Sequence, residues 1–263
     1  MRRRTLLAAA GMAAFAVPVR AAWRAEGGFD AETFRTWVRL RAGDGAPVFW
    51  VSAGTVRAFP SGDLLAFMEG FDAARAHWPE PGRLAHQYNR KIYLFRDPAT
   101  QALLKGADGR DAEPVAYPYQ FITYGLAGDR LETWVEQGAG PRRQRLGPGR
   151  NMAVRRVGRT LVYTAPVYLD VALPMGQRLQ AFENYDFVVD PERPASDWVL
   201  SWVRTGAAPP ALGGGPCVMH LVSWRVDRFA DLPASLRAYV EERAPLWRAP
   251  PRDLAEIRAL QAA

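Results

Sequence analysis

Hydrophobic and polar positions alternate along much of this chain with the period of two that belongs to a strand half buried against a core. The pattern is cleanest over Leu131, Thr133 and Val135, set against Arg130, Glu132, Trp134 and Glu136. It recurs over Leu161, Tyr163, Ala165, Val167, Leu169 and Val171, set against Thr160, Thr164 and Asp170. From Pro47 onward, runs of about eight to twelve residues rich in aromatic and β-branched types are separated by turn formers. They predict ten antiparallel strands, at 48–59, 64–78, 86–95, 115–124, 130–137, 153–157, 160–171, 179–189, 198–204 and 217–226. Turns fall at Pro60-Ser61-Gly62-Asp63, Pro79-Glu80-Pro81-Gly82, Ala127-Gly128-Asp129 and Gly147-Pro148-Gly149. Segments such as 48–51 and 117–122 are apolar on both faces, as expected where a sheet curls and its inner face also meets apolar groups. The fold class is mainly β: one antiparallel, barrel-like domain, whose closure would remove the exposed edges of so many strands.

Helical spacing appears at the two ends. Asp30 can cap a short N-terminal helix through Leu40, with Phe34, Trp37 and Val38 on one face, as a lid or a plug against the sheet. Near the C-terminus, Asp231 and Pro233 open a helix to about Arg243 that carries Leu236, Tyr239 and Val240. A second follows Pro250-Pro251 with Leu254, Ile257 and Leu260. Both are expected to pack on the barrel exterior or across one end. No internal repeat or linker divides the chain.

The first residues read differently. Arg2-Arg3-Arg4-Thr5-Leu6-Leu7 leads into an apolar, Ala-rich run that ends at Val17 and is too short to span a bilayer. Val19-Arg20-Ala21 supplies a peptidase site, so 1–21 is expected to be a twin-arginine-type signal peptide cut after Ala21 or Ala22. The remainder, 22–263, is then a single β-rich domain, periplasmic or secreted, with no stable membrane anchor. The precursor's partner is the Tat export machinery. Arg2, Arg3, Arg4 and Arg20 account for four of the net charge of +7 and leave +3 on the mature chain. The denser group Arg142, Arg143, Arg145, Arg150, Arg155, Arg156 and Arg159 has no interleaved stacking aromatics, so a solvated hairpin is expected and nucleic acid is not. Cys217 is the one cysteine, which excludes an intramolecular disulfide, and its apolar strand suggests an inert core thiol.

From about Pro47 to Leu254 the chain resembles DUF1838, an uncharacterised family of exported bacterial proteins. The matching pieces are Glu69-Gly70-Phe71-Asp72 with Arg75, then 90–100 (RKIYLFRDPAT), Ser201-Trp202-Val203-Arg204, His220, and Leu232-Pro233 with Leu236-Arg237 and Pro245 before Ala249-Pro250. One departure stands out: the Trp-Asn-Pro and Asn-Asp-Pro segments that follow the Asp-Pro turn in the family are replaced by LKGADGRDAEPVAYPY over 104–119. The resemblance implies a leader followed by one β-rich domain, and brings no catalytic residue or substrate with it.

Motifs of known chemistry are missing. His77, His86 and His220 share no short metal-ligand spacing, and GxSxG, GxGxxG, Walker, CxxC and calcium-loop patterns do not occur, so no metal or cofactor is expected. His220 shares a strand face with Val218, Val222 and Trp224, which fits a buried histidine or a general base at a cavity wall. Glu69, in an apolar run, needs a cation such as Arg90 or Arg204, or else stays neutral. Glu183 and Tyr185 share a face and are able to pass a proton, or to line a barrel rim. Two readings follow. The first is binding of a small hydrophobic or aromatic molecule in a barrel cavity, with Tyr119, Phe121, Trp202, Arg204, Glu183 and Tyr185 as candidate ligand contacts. The second is a cofactor-independent enzyme of isomerase, lyase or hydrolase type, with His220, Glu69, Arg90 and Tyr93 as its catalytic cluster, which requires those four side chains to converge.

Overall fold

A computed structural model of the chain describes residues 29–137, 143–145, 152–172 and 178–262. Eleven strands form one sheet: β1 (Val48–Ala58), β2 (Leu64–Glu80), β3 (Leu84–Arg96), β4 (Val115–Ala127), β5 (Arg130–Gln137), β6 (Arg143–Arg145), β7 (Ala153–Val157), β8 (Thr160–Ala172), β9 (Arg178–Val189), β10 (Val199–Ala207) and β11 (Pro216–Val226). The ten expected strands are present, shifted by at most a few residues, and the short β6 is added to them. All neighbours are antiparallel, and the order β6-β5-β4-β3-β2-β1-β11-β10-β9-β8-β7 is a meander in which the last strand pairs with the first. The sheet curls into a half-barrel whose free edges are β6 and β7. Full closure, expected on the ground that it removes edges, is not seen among the described residues. Both edge strands are short, and β7 carries Arg155 and Arg156, two devices that protect an edge without pairing it. The expected leader over 1–21 and the turn at Gly147-Pro148-Gly149 lie outside the described residues, and no described helix is long and apolar enough to cross a membrane.

Strand register sorts the side chains onto two faces. Val48, Trp50, Ser52, Gly54 and Val56 of β1 stand opposite Ala74, Asp72, Gly70, Met68 and Ala66 of β2 on the concave side. Phe49, Val51, Phe71 and Ala73 face outward. The concave side is filled at one end by α1 (Ala31–Ala42), which begins where the Asp30 side chain accepts the Thr33 N–H at 2.7 Å. Its apolar stripe of Phe34, Trp37, Val38 and Leu40 is buried against Trp50, Tyr124, Tyr163 and Phe187, so the N-terminal helix is a plug. The sheet caps the helix in return: Trp50 Nε1 donates to the Leu40 carbonyl and Arg225 to the Arg39 carbonyl, each at 3.0 Å, beside the helix's own Gly43 N–H, which donates to the Arg39 carbonyl at 2.9 Å.

The C-terminal segment lies on the convex side. Leu236 and Val240 of α2 (Ala234–Arg243) pack over Phe49, Phe71 and Ile92 of β1 to β3. Ile257 of α3 (Leu254–Ala262) packs over Tyr88, Tyr119 and Phe121 of β3 and β4. A β-bulge lies beneath, where the β3/β4 register shifts between Asn89 and Lys91 opposite Pro118, which has no N–H to give the ladder. Arg90 Nε donates to the Pro118 carbonyl and Trp247 Nε1 to the Lys91 carbonyl, each at 2.8 Å, so β3 and the C-terminal segment together serve the groups the bulge releases.

Curling needs room at two glycines. A Cβ on Gly54 would collide with the His220 carbonyl of β11, and one on Gly70 with the Ile92 carbonyl of β3 and, at 2.6 Å, with the Tyr93 ring. The Tyr93 ring therefore lies across a strand position kept bare for it. Gly70→Ala is expected to cost about 1–3 kcal/mol in urea unfolding. Gly215→Ala, with nothing within 4 Å of its added methyl, is expected to leave the midpoint unchanged or slightly raised.

Candidate functional site

Between the dry cluster around α1 and a second apolar cluster of Val56, Met68, Phe95, Met219 and Leu221 at the other end, the concave face carries a belt of polar side chains. On β1, β2 and β3, Tyr93 donates its hydroxyl to Asp72 Oδ1 at 2.9 Å and lies 3.4 Å from Ser52 Oγ, which is 2.7 Å from Ser223 Oγ of β11. Across the concavity, Tyr185 donates to Glu183 Oε2 at 2.7 Å, and Trp202 Nε1 and Arg204 Nε approach the same carboxylate at 3.4 and 3.8 Å. Arg41, on the last turn of α1, reaches between the two groups. Its guanidinium carbon is 5.3 Å from the Phe187 ring, 5.5 Å from Tyr185 and 5.8 Å from Trp37, and its Nε donates to the Tyr124 hydroxyl at 3.4 Å. Lys91 of β3 extends over Tyr117 at 4.6 Å. Asp72, Tyr93, Lys91, Tyr185, Trp202 and Arg41 are all half-buried, so solvent reaches the belt between two closed clusters.

Electrostatics keep these groups in fixed roles. Burial, and then the Asp72 charge, hold the Tyr93 phenol well above its ordinary range; burial and Glu183 do the same for Tyr185. Both phenols stay protonated and act as donors. Burial alone would lower Arg41, but the electronegative Tyr124 and Tyr185 oxygens and Asp72 outweigh it, so it stays a cation. No carboxylate lies within 4.0 Å of that guanidinium among the described residues.

The residues expected from the sequence divide between the faces. Tyr93 is concave, whereas His220, Glu69 and Arg90 point outward, so the expected catalytic cluster does not assemble. His220 is exposed beside Ser201 Oγ at 3.2 Å. Glu69 pairs with Arg96 of the neighbouring strand, at 2.8 Å to Nε, and not with Arg90 or Arg204. Arg90, 3% exposed, is consumed by Glu256 of α3 and the carbonyls of Pro118 and Ala249. Of the expected ligand contacts, Trp202, Arg204, Glu183 and Tyr185 come together on the concave face. Tyr119 and Phe121 lie under α3, because the bulge turns them outward and leaves Tyr117 and Gln120 concave. Sequence reasoning missed Arg41, Asp72 and Lys91. Arg41 had a signal: it completes the i, i+3, i+4, i+7 stripe of Phe34, Trp37 and Val38, a cation where an apolar residue belongs.

Other places offer less. His77 and His86 face each other across β2 and β3 with rings 6.0 Å apart, and no third ligand completes a metal-binding group among the described residues. Cys217 is buried, its thiol pushed up by burial. A recess of about 510 Å³ at the far end of β9 to β11, lined by Phe59, Gln180, Thr205 and Cys217 among others, has no charged side chain among the described residues that line it. Fold and site together define an open up-and-down half-barrel, plugged by a helix and belted with polar and aromatic groups. Comparison of the chain with family models, with curated proteins and with solved structures finds no match.

The placement of Arg90 generates a structural test. The Glu256 carboxyl, which burial alone would raise, is held below its ordinary 4.5 by the Arg252 N–H and the Arg90 guanidinium. A depressed folded-state pKa contributes stability that is present above the unfolded value and lost as pH falls through the folded one. Glu256→Gln, which strands a buried cation, is expected to cost on the order of 3 kcal/mol in urea unfolding at pH 7. The gap from wild type is expected to narrow as pH falls below 4.5; a gap constant with pH would contradict the assignment.

Proposed function

We propose that the protein is exported and binds a small, largely apolar or aromatic molecule in the concave face of the half-barrel. The observation that carries this reading is the half-open belt, where the half-buried rings of Tyr93, Tyr185 and Trp202 flank a few convergent polar groups between two sealed clusters. Few polar groups set among aromatic walls is the composition of a small-molecule site. Export along the twin-arginine route to the periplasm or beyond, with loss of 1–21, is supported by Arg2-Arg3-Arg4 and the short apolar run behind them. Kinship with DUF1838 belongs to the same proposal and rests on the motifs quoted above.

A cofactor-independent enzyme is the second reading, favoured by the two phenol–carboxylate pairs Tyr93–Asp72 and Tyr185–Glu183. Its weakness is acid strength. General acids work best with a pKa near the working pH, and burial drives both phenols away from it.

Native mass spectrometry of the protein recovered from its exporting cells tests both halves of the proposal. The polypeptide is expected to begin at Ala22 or Trp23 and to carry a small organic adduct that leaves on collisional activation. His220→Ala, on the convex face, is expected to retain the adduct, and Tyr185→Phe to lose most of it. A bare mass in wild type would count against a carrier, and an intact leader on the exported protein would refute the processing site.

A further inference from the structure

We propose that the ligand is a monoanion, with a carboxylate or an equally compact anionic group on an aromatic or apolar body, and that Arg41 is the residue that recognises it. This rests on the small-molecule reading above. Other arginines of this molecule have carboxylate partners. Arg96 pairs with Glu69, Arg90 with Glu256, Arg258 with Glu136 and Arg204 with Glu183. Arg41, deeper in the concavity than an exposed side chain, has one long hydrogen bond to Tyr124 and three ring faces, and no ion-pair partner among the described residues.

The carboxylates nearest to it are already engaged. Asp72 accepts from Tyr93, and Glu183 accepts from Tyr185 and Trp202 beside Arg204. Asp72 is near enough to bias Arg41 electrostatically yet makes no ion pair with it. Lys91 adds a second cation to the belt, with no ion-pair partner among the described residues, resting on Tyr117. Among the described residues, Arg41, Lys91 and Arg204 set against Asp72 and Glu183 leave the belt with one surplus positive charge, which a single anion neutralises. A guanidinium with its terminal N–H groups uncommitted is a planar fork suited to a carboxylate, and the surrounding rings suit an apolar body. The chemistry of the ligand follows: flat or apolar, singly charged, and seated with its anionic end toward the last turn of α1.

The test compares 2-naphthoate with its neutral counterpart 2-naphthylmethanol, each titrated into the mature protein by tryptophan fluorescence. Wild type is expected to bind the naphthoate at least about tenfold more tightly, the scale of one charge-assisted pair. Arg41→Gln is expected to lower naphthoate affinity to that of the alcohol while leaving the alcohol's unchanged, and Arg41→Lys to restore part of the difference. Lys91→Gln supplies an independent readout if Arg41→Gln fails to fold, with an expected loss of about two- to fivefold for naphthoate alone. Equal affinity for both probes in wild type, or a preference untouched by these substitutions, overturns the anion proposal and leaves small-molecule binding standing. Binding of neither probe at millimolar concentration overturns both.

Discussion

The contact on which the rest depends is Trp37 inside the curled sheet. Its ring meets Phe187 of β9 at 5.4 Å, Tyr163 of β8 at 5.8 Å and Tyr124 of β4 at 6.1 Å. One side chain on α1 thus joins both arms of a sheet whose outermost strands share no described ladder. A closed barrel holds its curvature through hydrogen bonds around a full ring; here an apolar plug supplies the adhesion, each aromatic pair adding about 0.5–1.5 kcal/mol beyond its buried area. Because Trp50 and Arg225 cap the end of α1 from the sheet, the helix is fixed in rotation as well as position. That fixes where Arg41 goes.

Helices divide the outer surface unequally. α2 and α3 cover β1 to β4, and the ion pairs that α3 makes with Arg90 and Glu136 bind the C-terminal segment to the strands. Among the described residues no helix covers the convex side of β9 to β11 in this way, and Val188, Val199, Val222 and Trp224 are 39–46% exposed there. His220 belongs to that uncovered side, which is why an apolar strand context did not bury it.

Strand positions were legible because period-two alternation and turn residues are local signals, and they located ten strands and the capped start of α1. Facing was legible only where the alternation ran unbroken. On β9 and β10 it did, and Glu183, Tyr185, Trp202 and Arg204 meet as the shared face implies. On β4 the bulge at Pro118 adds a residue, so Tyr119 and Phe121 turn away from the cavity that strict alternation shares with Tyr117. Glu69 shows a different limit: alternation says that it and Asp72 face opposite ways, but which way is inward depends on where α1 and α2 pack. Partner choice was the least legible, since Arg96 and Glu256 come to their partners through register and through a helix more than 150 residues away from Arg90.

Arg41 then poses an energetic question that its neighbours do not. Arg90 is nearly fully buried and has a carboxylate and two carbonyls to replace the water it lost. Arg41, half-buried, gives up part of its hydration for ring faces, a distant carboxylate and a 3.4 Å hydrogen bond, weaker compensation for a group that burial opposes. A leucine in that stripe would fill the same side of the plug without the desolvation cost, so packing alone does not account for a cation there. Its position does make sense if the missing compensation comes from outside the chain. A saturated arginine has nothing left to offer a ligand, whereas one held rigid by Trp37 and Phe187, charged and underbonded, contributes most of its interaction energy at the moment an anion arrives.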